Sequence, residues 1–263
     1  QFNNLNDSLS LGINEISGNE FSLNSLNKIN KNLFKDCKKD SKTKGSGKFR
    51  NKQNFLLKPG LAGSSVSFIP PVHTEVNSLM KNLFTYLNKN EDSYLISTAF
   101  VHYQFEKIHP YNSGNGKVGR LMIPLQYSLY KKEPPILFLS ESIYNLKNTY
   151  FTLLSGEVKE DVNAFIKFFL QCVIDQSNLN IKKIRKLNKI YNRDYADFKK
   201  VIGGTTIYKI YPSMLKRVCF TTNDIVSDCN LHINSVNKVL NKLVENNLVN
   251  NDEIITEEKI REL

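Results

Sequence analysis

Residues 109–120 read His109-Pro110-Tyr111-Asn112-Ser113-Gly114-Asn115-Gly116-Lys117-Val118-Gly119-Arg120. Gly114 and Gly116 can adopt positive φ angles, and Asn115 between them tolerates the left-handed region better than most residues. Such a run can point successive N–H groups inward and form an anion-binding nest. A helix that begins near Lys117 would add the partial positive charge of its N-terminus. The stretch therefore predicts a phosphate-binding loop followed by a helix.

The side chains around this loop suit the handling of a phosphate. Lys117 and Arg120 are three residues apart and would share one face of the helix. His109 is the only nearby side chain that can accept a proton near neutral pH. Pro110 prevents a helix from continuing normally, so His109 is expected at a helix end, where a base is exposed. These residues predict a phosphate cradle with a general base at its rim.

The same stretch resembles the signature of the Fic (filamentation induced by cAMP) family, His-x-Phe-x-(Asp/Glu)-Gly-Asn-Gly-Arg-x-x-Arg. The positions that match it in kind are His109, Tyr111, Gly114, Asn115, Gly116, Lys117 and Arg120. Ser113 stands where the family carries its metal-binding carboxylate, and a serine hydroxyl is a poor ligand for Mg²⁺. The resemblance implies a phosphate site that is kept and a metal position that is altered.

The resemblance and the apolar pattern predict a mostly α fold: a Fic-type helical core with a small β-hairpin flap, plus a C-terminal winged helix-turn-helix domain. The expected domains are an N-terminal helical region at 1–44, a Fic-like catalytic core at 45–202 and the winged helix-turn-helix at 203–263. Apolar periodicity predicts core helices near 73–90, 92–108, 117–129, 141–155 and 160–191. Pro124 is expected to kink its helix rather than end it.

Two short apolar alternations, at 47–56 and 66–71, flank a Gly/Ser-rich turn and predict a β-hairpin. They resemble the Fic region that begins Gly-x-(Phe/Tyr)-Arg and closes on Pro-Pro. In that family this region contains a flap over the active site, which pairs by its main chain with an extended target segment.

The N-terminal segment Ser10-Leu11-Gly12-Ile13-Asn14-Glu15 resembles an inhibitory helix that many Fic proteins carry. The motif supplies a glutamate to the second arginine of the signature, and Asn14 occupies that position here. An uncharged Asn14 could not form the ion pair with Arg120, and Glu15 lies about 100° further around a helix. The alternative is an ordinary surface helix.

The C-terminal region has the helix pattern of a winged helix-turn-helix, with a wing near 247–255. On its last helix Val236, Val239 and Leu243 are expected to face inward, and Asn237, Lys238, Asn241 and Lys242 outward. Asparagine and lysine there favour DNA binding through 203–263. The alternative is a homodimer or protein-docking unit, because such modules also serve that purpose.

Composition bounds the class of protein. The 263 residues carry a net charge of +11, which favours an anionic partner without naming one. The apolar pattern contains no run long enough for a membrane span. The four cysteines show no metal-binding spacing, and the N-terminus does not resemble a secretory signal, so we expect reduced thiols and a cytoplasmic location. The four histidines show no zinc-ligand spacing either, so no metal residue is predicted.

The resemblance implies a protein adenylyltransferase, a nucleotidyltransferase that moves AMP from its substrate ATP to a hydroxyl of a target protein. His109 would take the proton of that hydroxyl. The nucleotide-binding residues would be Ser113, Gly114, Asn115, Gly116, Lys117, Val118, Gly119, Arg120 and Tyr150. Tyr150 would flank the base, or alternatively pack in the core. Mg²⁺ is doubtful because of Ser113.

Three further possibilities follow from Ser113. In the first, the chain is an adenylyltransferase that works slowly. In the second, it uses another phosphoryl donor, and in the third it binds nucleotide without catalysis. A nucleotide-binding but catalytically degenerate DNA-binding regulator is the main alternative function, and a scaffold is another. A P-loop is excluded, because Val118 follows Lys117 where that motif requires Ser or Thr.

Overall fold

The computed structural model describes residues 2–16, 20–35, 37, 45–60, 63–89, 93–155, 161–202, 204, 206–216 and 220–249. The chain divides into two compact units, 1–179 and 180–263. The division falls inside a long helix. The domain limits at 44/45 and 202/203 therefore stay predictions, and each unit is considered separately.

The first unit is mostly helical, as predicted. Its helices are α1 (Phe2–Ile16), α2 (Leu23–Leu33), α3 (Val76–Lys89), α4 (Tyr94–Ile108), α5 (Asn115–Lys131), α6 (Ser140–Asn145), α7 (Lys147–Leu154) and the first part of α8 (Val162–Ile202). The single helix expected near 141–155 is thus two short ones, and α8 extends past the predicted end at 191. Among the described residues, no helix combines the length and apolar character needed to cross a membrane.

Two strands, β1 (Leu56–Gly60) and β2 (Gly63–Phe68), form an antiparallel hairpin. Leu56 pairs with Phe68, and Leu57 pairs with Val66 across an irregularity between Leu56 and Leu57. The structure thus contains a hairpin, but its first strand begins at Leu56, where the predicted alternation 47–56 ends, and its second ends at Phe68 rather than at 71. The role of the hairpin as a flap stays a prediction.

Helices α4 and α5 form the centre of the first unit. Helix α4 is apolar on nearly all sides and is buried accordingly, with Val101 and Phe105 fully enclosed. Helix α5 continues through Pro124 to Lys131, as its apolar pattern predicts. Leu26 and Ile29 of α2 belong to the same apolar core. The loop that joins α4 to α5 therefore lies between two rigid, well-packed elements.

The second unit contains the end of α8 and three helices: α9 (Ile207–Leu215), α10 (Thr222–Cys229) and α11 (Ile233–Glu245). Thr221 and Asp224 form a capping box at the start of α10. Val236, Val239 and Leu243 of α11 are buried, as the periodicity predicts. The wing residues 254–255 lie outside the described part of the chain, so the winged helix-turn-helix stays a prediction.

Candidate functional site

Helix α4 ends at Ile108, and His109 caps it in the left-handed conformation, with φ 50° and ψ 59°. The His109 N–H donates to the Phe105 oxygen at 3.0 Å, which is the last helical hydrogen bond. Pro110 follows and prevents another turn. The backbone therefore turns sharply at the predicted base.

The loop after His109 is fixed by Tyr111, which is 1% exposed. Its N–H donates to Asn115 Oδ1 at 2.8 Å, and Asn115 Nδ2 donates back to the Tyr111 oxygen at 2.8 Å. The Tyr111 hydroxyl donates to Asn27 Oδ1 of α2 at 2.9 Å. The Asn115 side chain thus closes the loop on itself, and only its main-chain N–H is available to an anion.

Helix α2 supports the other side of the loop. Asn30 Nδ2 donates to the Ser113 oxygen at 3.1 Å, and Asn30 Oδ1 accepts from the Gly47 N–H at 2.8 Å. Gly114 has φ 83° and lies on the Phe34 ring, where a Cβ would stand 2.9 Å from the ring carbons. A residue with a side chain at 114 would therefore be both strained and obstructed.

The start of α5 has the geometry of an anion site. Its first helical hydrogen bond runs from the Val118 N–H to the Gly114 oxygen at 2.9 Å. The N–H groups of Asn115, Gly116 and Lys117 precede that bond and have no acceptor among the described residues. These three free donors at the positive end of α5, called the nest below, can bind an anion. Gly116 lies inside the helix and not at a positive φ angle, so the helix start presents the donors in place of the predicted Gly-Asn-Gly turn.

A cavity of about 950 Å³ opens beside the nest. Its basic residues are Lys117, Arg120 and Lys147. Its aromatic residues are Phe138, Tyr144, Tyr150 and Phe151. The Lys147 ammonium lies 5.1 Å from the centre of the Tyr144 ring, a cation–π distance. The cavity thus combines positive charge for phosphates with flat apolar surfaces for a base.

Helix α1 borders this cavity through Leu5, Asn6 and Leu9. Asn14, the position matched to the inhibitory motif, is exposed and lies outside the lining residues. Helix α1 therefore borders the cavity through residues that lie about one to three turns before Asn14.

Arg120 folds back over its own helix. A Cβ at Gly116 would stand 3.1 Å from Arg120 Nη1, so the missing side chain leaves room for the guanidinium. Gly119 lies under α4, and Val118 is fully buried in the core. Of the predicted binding residues, Lys117, Arg120 and Tyr150 line the cavity, whereas Val118 and Gly119 support the loop. The residues that lie outside the cavity lining are Ser113, Gly114, Asn115 and Gly116.

Behind Arg120 is a buried polar cluster. His102 Nδ1 lies 3.2 Å from the Gly119 oxygen, and His102 Nε2 lies 3.1 Å from the Tyr150 hydroxyl. Burial lowers the pKa of His102 to about 4, so the ring is neutral. A carbonyl oxygen can only accept, so Nδ1 carries the hydrogen and Tyr150 donates to Nε2. Tyr150 thus packs in the core and lines the cavity at the same time.

Glu106 completes this cluster. Its side chain is buried, and Oε1 has no hydrogen-bond donor in the described structure. Burial raises the pKa of Glu106 to about 7, while the positive charge of Arg120 lowers it. Neither Glu106 nor His102 was singled out from the sequence. Their i, i+4 spacing on an apolar helix was the available signal.

His109 borders a second cavity, of about 620 Å³, under the hairpin. The other lining residues are Gln53, Asn54, Phe55, Leu56, Val66 and Asn112. Burial lowers the pKa of His109 to about 4, and the nearby Glu106 carbonyl raises it. His109 Nδ1 is buried and has no hydrogen-bond partner, so the Glu106 carbonyl is near it without forming a hydrogen bond. The imidazole is therefore neutral at pH 7.

Arg50 joins the hairpin base to His109, a connection that sequence reasoning did not assign. Its Nε donates to the His109 oxygen at 2.9 Å, and Nη1 donates to the Lys52 oxygen at 3.2 Å. Its Nη2 donates to the Pro71 and Ile108 oxygens. Arg50 as a whole is 3% exposed, and its guanidinium connects three chain segments around the predicted base.

The described residues do not fit a metal held by carboxylates. No group of three His, Cys, Asp or Glu residues in them could hold a metal ion. Ser113 offers only neutral oxygens at the position where the signature carries an acid. No chemical step below therefore depends on a metal.

A helix start with free N–H donors between two packed helices, and a neutral histidine beside it, can bind a phosphate group. Residues 20–127 match the family model "Fic/DOC family". This part of the chain is therefore similar to the Fic/DOC family.

Two solved structures share the fold. One is a Fic family protein from Desulfovibrio desulfuricans G20, with TM-score 0.58 and 19% identity over 93% of this chain and 67% of that one. The other is a Fic domain containing signaling protein from Bacteroides thetaiotaomicron, with TM-score 0.52 and 22% identity over 67% and 66%. At these identities the likeness concerns the fold alone.

Curated relatives include "Protein adenylyltransferase Fic" from Culex quinquefasciatus, 28% identical over 110 residues, and from Drosophila yakuba, 28% identical over 109 residues. Each match covers 40% of this chain and about a fifth of the relative, 20% and 21% respectively. The similarity therefore concerns less than half of this chain and a small part of each relative.

Proposed function

We propose that this chain transfers AMP from ATP to a hydroxyl side chain of a target protein. One observation carries the proposal: a single loop places three free N–H donors and two cations beside one cavity, and a neutral imidazole beside another. The names of the curated relatives support adenylyl transfer in preference to other phosphate chemistry.

In the proposed reaction the target hydroxyl enters the cavity under the hairpin, and His109 accepts its proton. The hydroxyl oxygen forms a bond to the α-phosphorus, the bond from that phosphorus to its bridging oxygen breaks, and pyrophosphate leaves. Because the low pKa makes His109 a weak base, proton removal accompanies P–O bond formation rather than preceding it.

The nest N–H groups would bind the phosphate oxygens as charge develops on them. Lys117 and Arg120 would hold the trailing phosphates, arginine through two parallel hydrogen bonds and lysine as a point charge. Lys147 brings a third positive charge to the same cavity. We propose that these three cations together offset charge that a carboxylate-bound metal would otherwise neutralise.

The experiment is incubation of the full chain with α-³²P-ATP, without metal and with Mg²⁺ or Mn²⁺, in the presence of candidate target proteins. His109→Ala is compared with His73→Ala, because His73 is an exposed histidine outside both cavities. We expect protein-bound label with the unmodified chain and His73→Ala, and its loss with His109→Ala. Equal labelling in all three, or none in any, contradicts the proposal.

A second candidate function concerns the second unit. Helix α11 buries its apolar face and exposes Asn234, Asn237, Lys238, Asn241 and Lys242. This face could contact nucleic acid, so a DNA-binding regulator that senses a nucleotide is the alternative. It predicts salt-dependent retention on DNA that falls on Lys238→Glu and Lys242→Glu. Unchanged retention in that double variant rejects it.

A further inference from the structure

A third cavity, of about 560 Å³, has no part in the reaction proposed above. It lies between the end of β2 and helices α3 and α4. Its apolar lining residues are Phe68, Ile69, Pro71, Leu79, Leu83, Tyr86, Phe100 and Ile108. Asn82, Gln104 and Lys107 are the polar ones. A pocket with this apolar lining has room for a large apolar side chain.

This cavity adjoins the one at His109. Lys107 and Ile108 line the third cavity, and the next residue along the chain is His109. Val66 lines the His109 cavity, whereas Phe68 of the same strand lines the third one. The irregularity in the hairpin falls between Val66 and Phe68, so β2 bends there and its two side chains reach different cavities.

The distance between the two cavities corresponds to about two residues of an extended peptide. Val66 and Phe68 are two residues apart, which is at most about 7 Å along a strand. A target segment lying extended beside β2, with its hydroxyl at His109, would place the side chain two residues away at the third cavity. Within the described residues, β1 and β2 pair only with each other, so each leaves an edge for an added strand.

The walls of the cavity show which side chain it would accept. Tyr86 and Phe100 meet edge to face, with ring centres 4.9 Å apart. The Lys107 ammonium lies 4.1 Å from the centre of the Phe68 ring. Aromatic walls favour a phenyl or branched aliphatic group, and a charged side chain would lose its hydration among them.

We propose that this cavity selects target segments that carry a large apolar residue two positions from the modified hydroxyl. The assignment rests on the proposed function, because the hydroxyl is the point from which the two positions are counted. The exposed side chains of Ile69 and Val72, 59% and 51% accessible, extend the apolar surface beside the cavity. The occupant is thus a stretch of the target itself.

The test uses fluorescent peptides with one serine in an alanine background. Phenylalanine, glycine or lysine is placed two residues before or after the serine. Binding to the full chain is followed by anisotropy. For one of the two placements we expect phenylalanine to bind at least tenfold more tightly than glycine, and lysine to bind most weakly. Equal binding of the phenylalanine and glycine peptides at both placements overturns the assignment.

Asn82→Trp provides the matched variant, because residue 82 is exposed on α3 and lines the cavity, so an indole can fill it without disturbing the core. Asn77→Trp, exposed on the same helix and outside the cavity, is the control. We expect the phenylalanine preference to fall below threefold in Asn82→Trp and to persist in Asn77→Trp. A preference that Asn82→Trp leaves unchanged contradicts the assignment.

Label transfer from α-³²P-ATP to the same peptides separates the two proposals. Selective binding without His109-dependent label contradicts the adenylyl transfer and supports the docking of an apolar residue. His109-dependent label without phenylalanine preference contradicts the cavity assignment and supports the transfer.

Discussion

Glu106 Oε1 lies over the bare Cα of Gly119, in space that the Cβ of any other residue would occupy. The two residues belong to the contact between α4 and α5, the helices on either side of the phosphate loop. Phe105 and His102 also come within 3.1 and 3.2 Å of a Cβ at Gly119. All three neighbours are buried, so none can move aside easily.

We expect Gly119→Ala to lower the free energy of unfolding by about 1–3 kcal/mol, the usual effect of overpacking a core. The added methyl group would force α4 away from α5, which outweighs the better helix propensity of alanine. Urea unfolding of the full chain measures the change. A variant as stable as the parent contradicts the prediction.

Gly116→Ala is expected to behave differently, because its Cβ would press only on Arg120 Nη1 at 3.1 Å. Helix propensity favours alanine by roughly 1 kcal/mol, so stability should be equal or higher. ATP affinity should fall roughly tenfold through the loss of one charge-assisted hydrogen bond. Isothermal titration with ATP measures the affinity. Unchanged ATP affinity would show that the observed position of the Arg120 guanidinium is not required for ATP binding.

Arg50→Lys tests the link between the hairpin base and His109. A lysine cannot serve the acceptors that the guanidinium reaches, so buried carbonyls would lose their donors. We expect a loss of about 2–3 kcal/mol in unfolding free energy, and slower label transfer. Arg185→Lys, at an exposed position on α8, is the control and should leave both unchanged. Equal effects of the two substitutions would remove the role given to Arg50.

Ser113→Glu tests the altered metal position. A carboxylate at 113 would supply the hard oxygen ligand that Mg²⁺ prefers. We expect the rise in melting temperature on adding ATP to become larger with Mg²⁺ than without it, by a few degrees. Ser113→Ala should respond to Mg²⁺ as the unmodified chain does. A Mg²⁺ response that is the same in all three chains contradicts the prediction.

Glu106→Gln tests the buried carboxyl through pH. Burial raises the pKa of Glu106 from 4.5 to about 7, so the folded chain holds a proton that the unfolded chain has released. The stability that this group contributes is present below pH 4.5 and is lost as the pH rises through 7. Glutamine cannot ionise and avoids that loss.

We therefore expect Glu106→Gln to be more stable than the parent at pH 8, by about 1–3 kcal/mol, and similar to it at pH 4.5. Thermal unfolding at both values measures the difference. Glu75→Gln, at an exposed position, is the control and should match the parent at each pH. A stability difference between Glu106→Gln and the parent that does not change with pH would contradict the prediction.

The local features of the site could be predicted from sequence, because they depend on backbone chemistry. Gly114 at φ 83°, the helix that starts at Asn115, and His109 beside Pro110 all follow from residue-level rules. The passage of α5 through Pro124 follows from the apolar period. These features need only neighbouring residues in the chain.

Long-range partners could not be predicted in the same way. Asn30 and Arg50 look like ordinary polar residues, yet each holds the loop from 58 or more positions away. The Asn115 side chain was expected at the phosphate, but hydrogen bonds to Tyr111 occupy it. Lys147 lies at the cavity because α7 packs against α4, which no periodicity reveals. Burial and charge at these positions depend on tertiary packing alone.

The left-handed backbone of His109 lowers the folding stability of the chain at the same position that carries the proposed base. A residue with a Cβ is disfavoured there by roughly 1–2 kcal/mol, whereas glycine adopts the conformation freely. Glycine at 109 would relieve the backbone and remove the proposed base. Directed evolution for heat resistance alone would therefore tend to discard the reaction, and only a selection that demands transfer would retain histidine. At residue 109, the amino acid that would maximise stability therefore differs from the one that the proposed reaction needs.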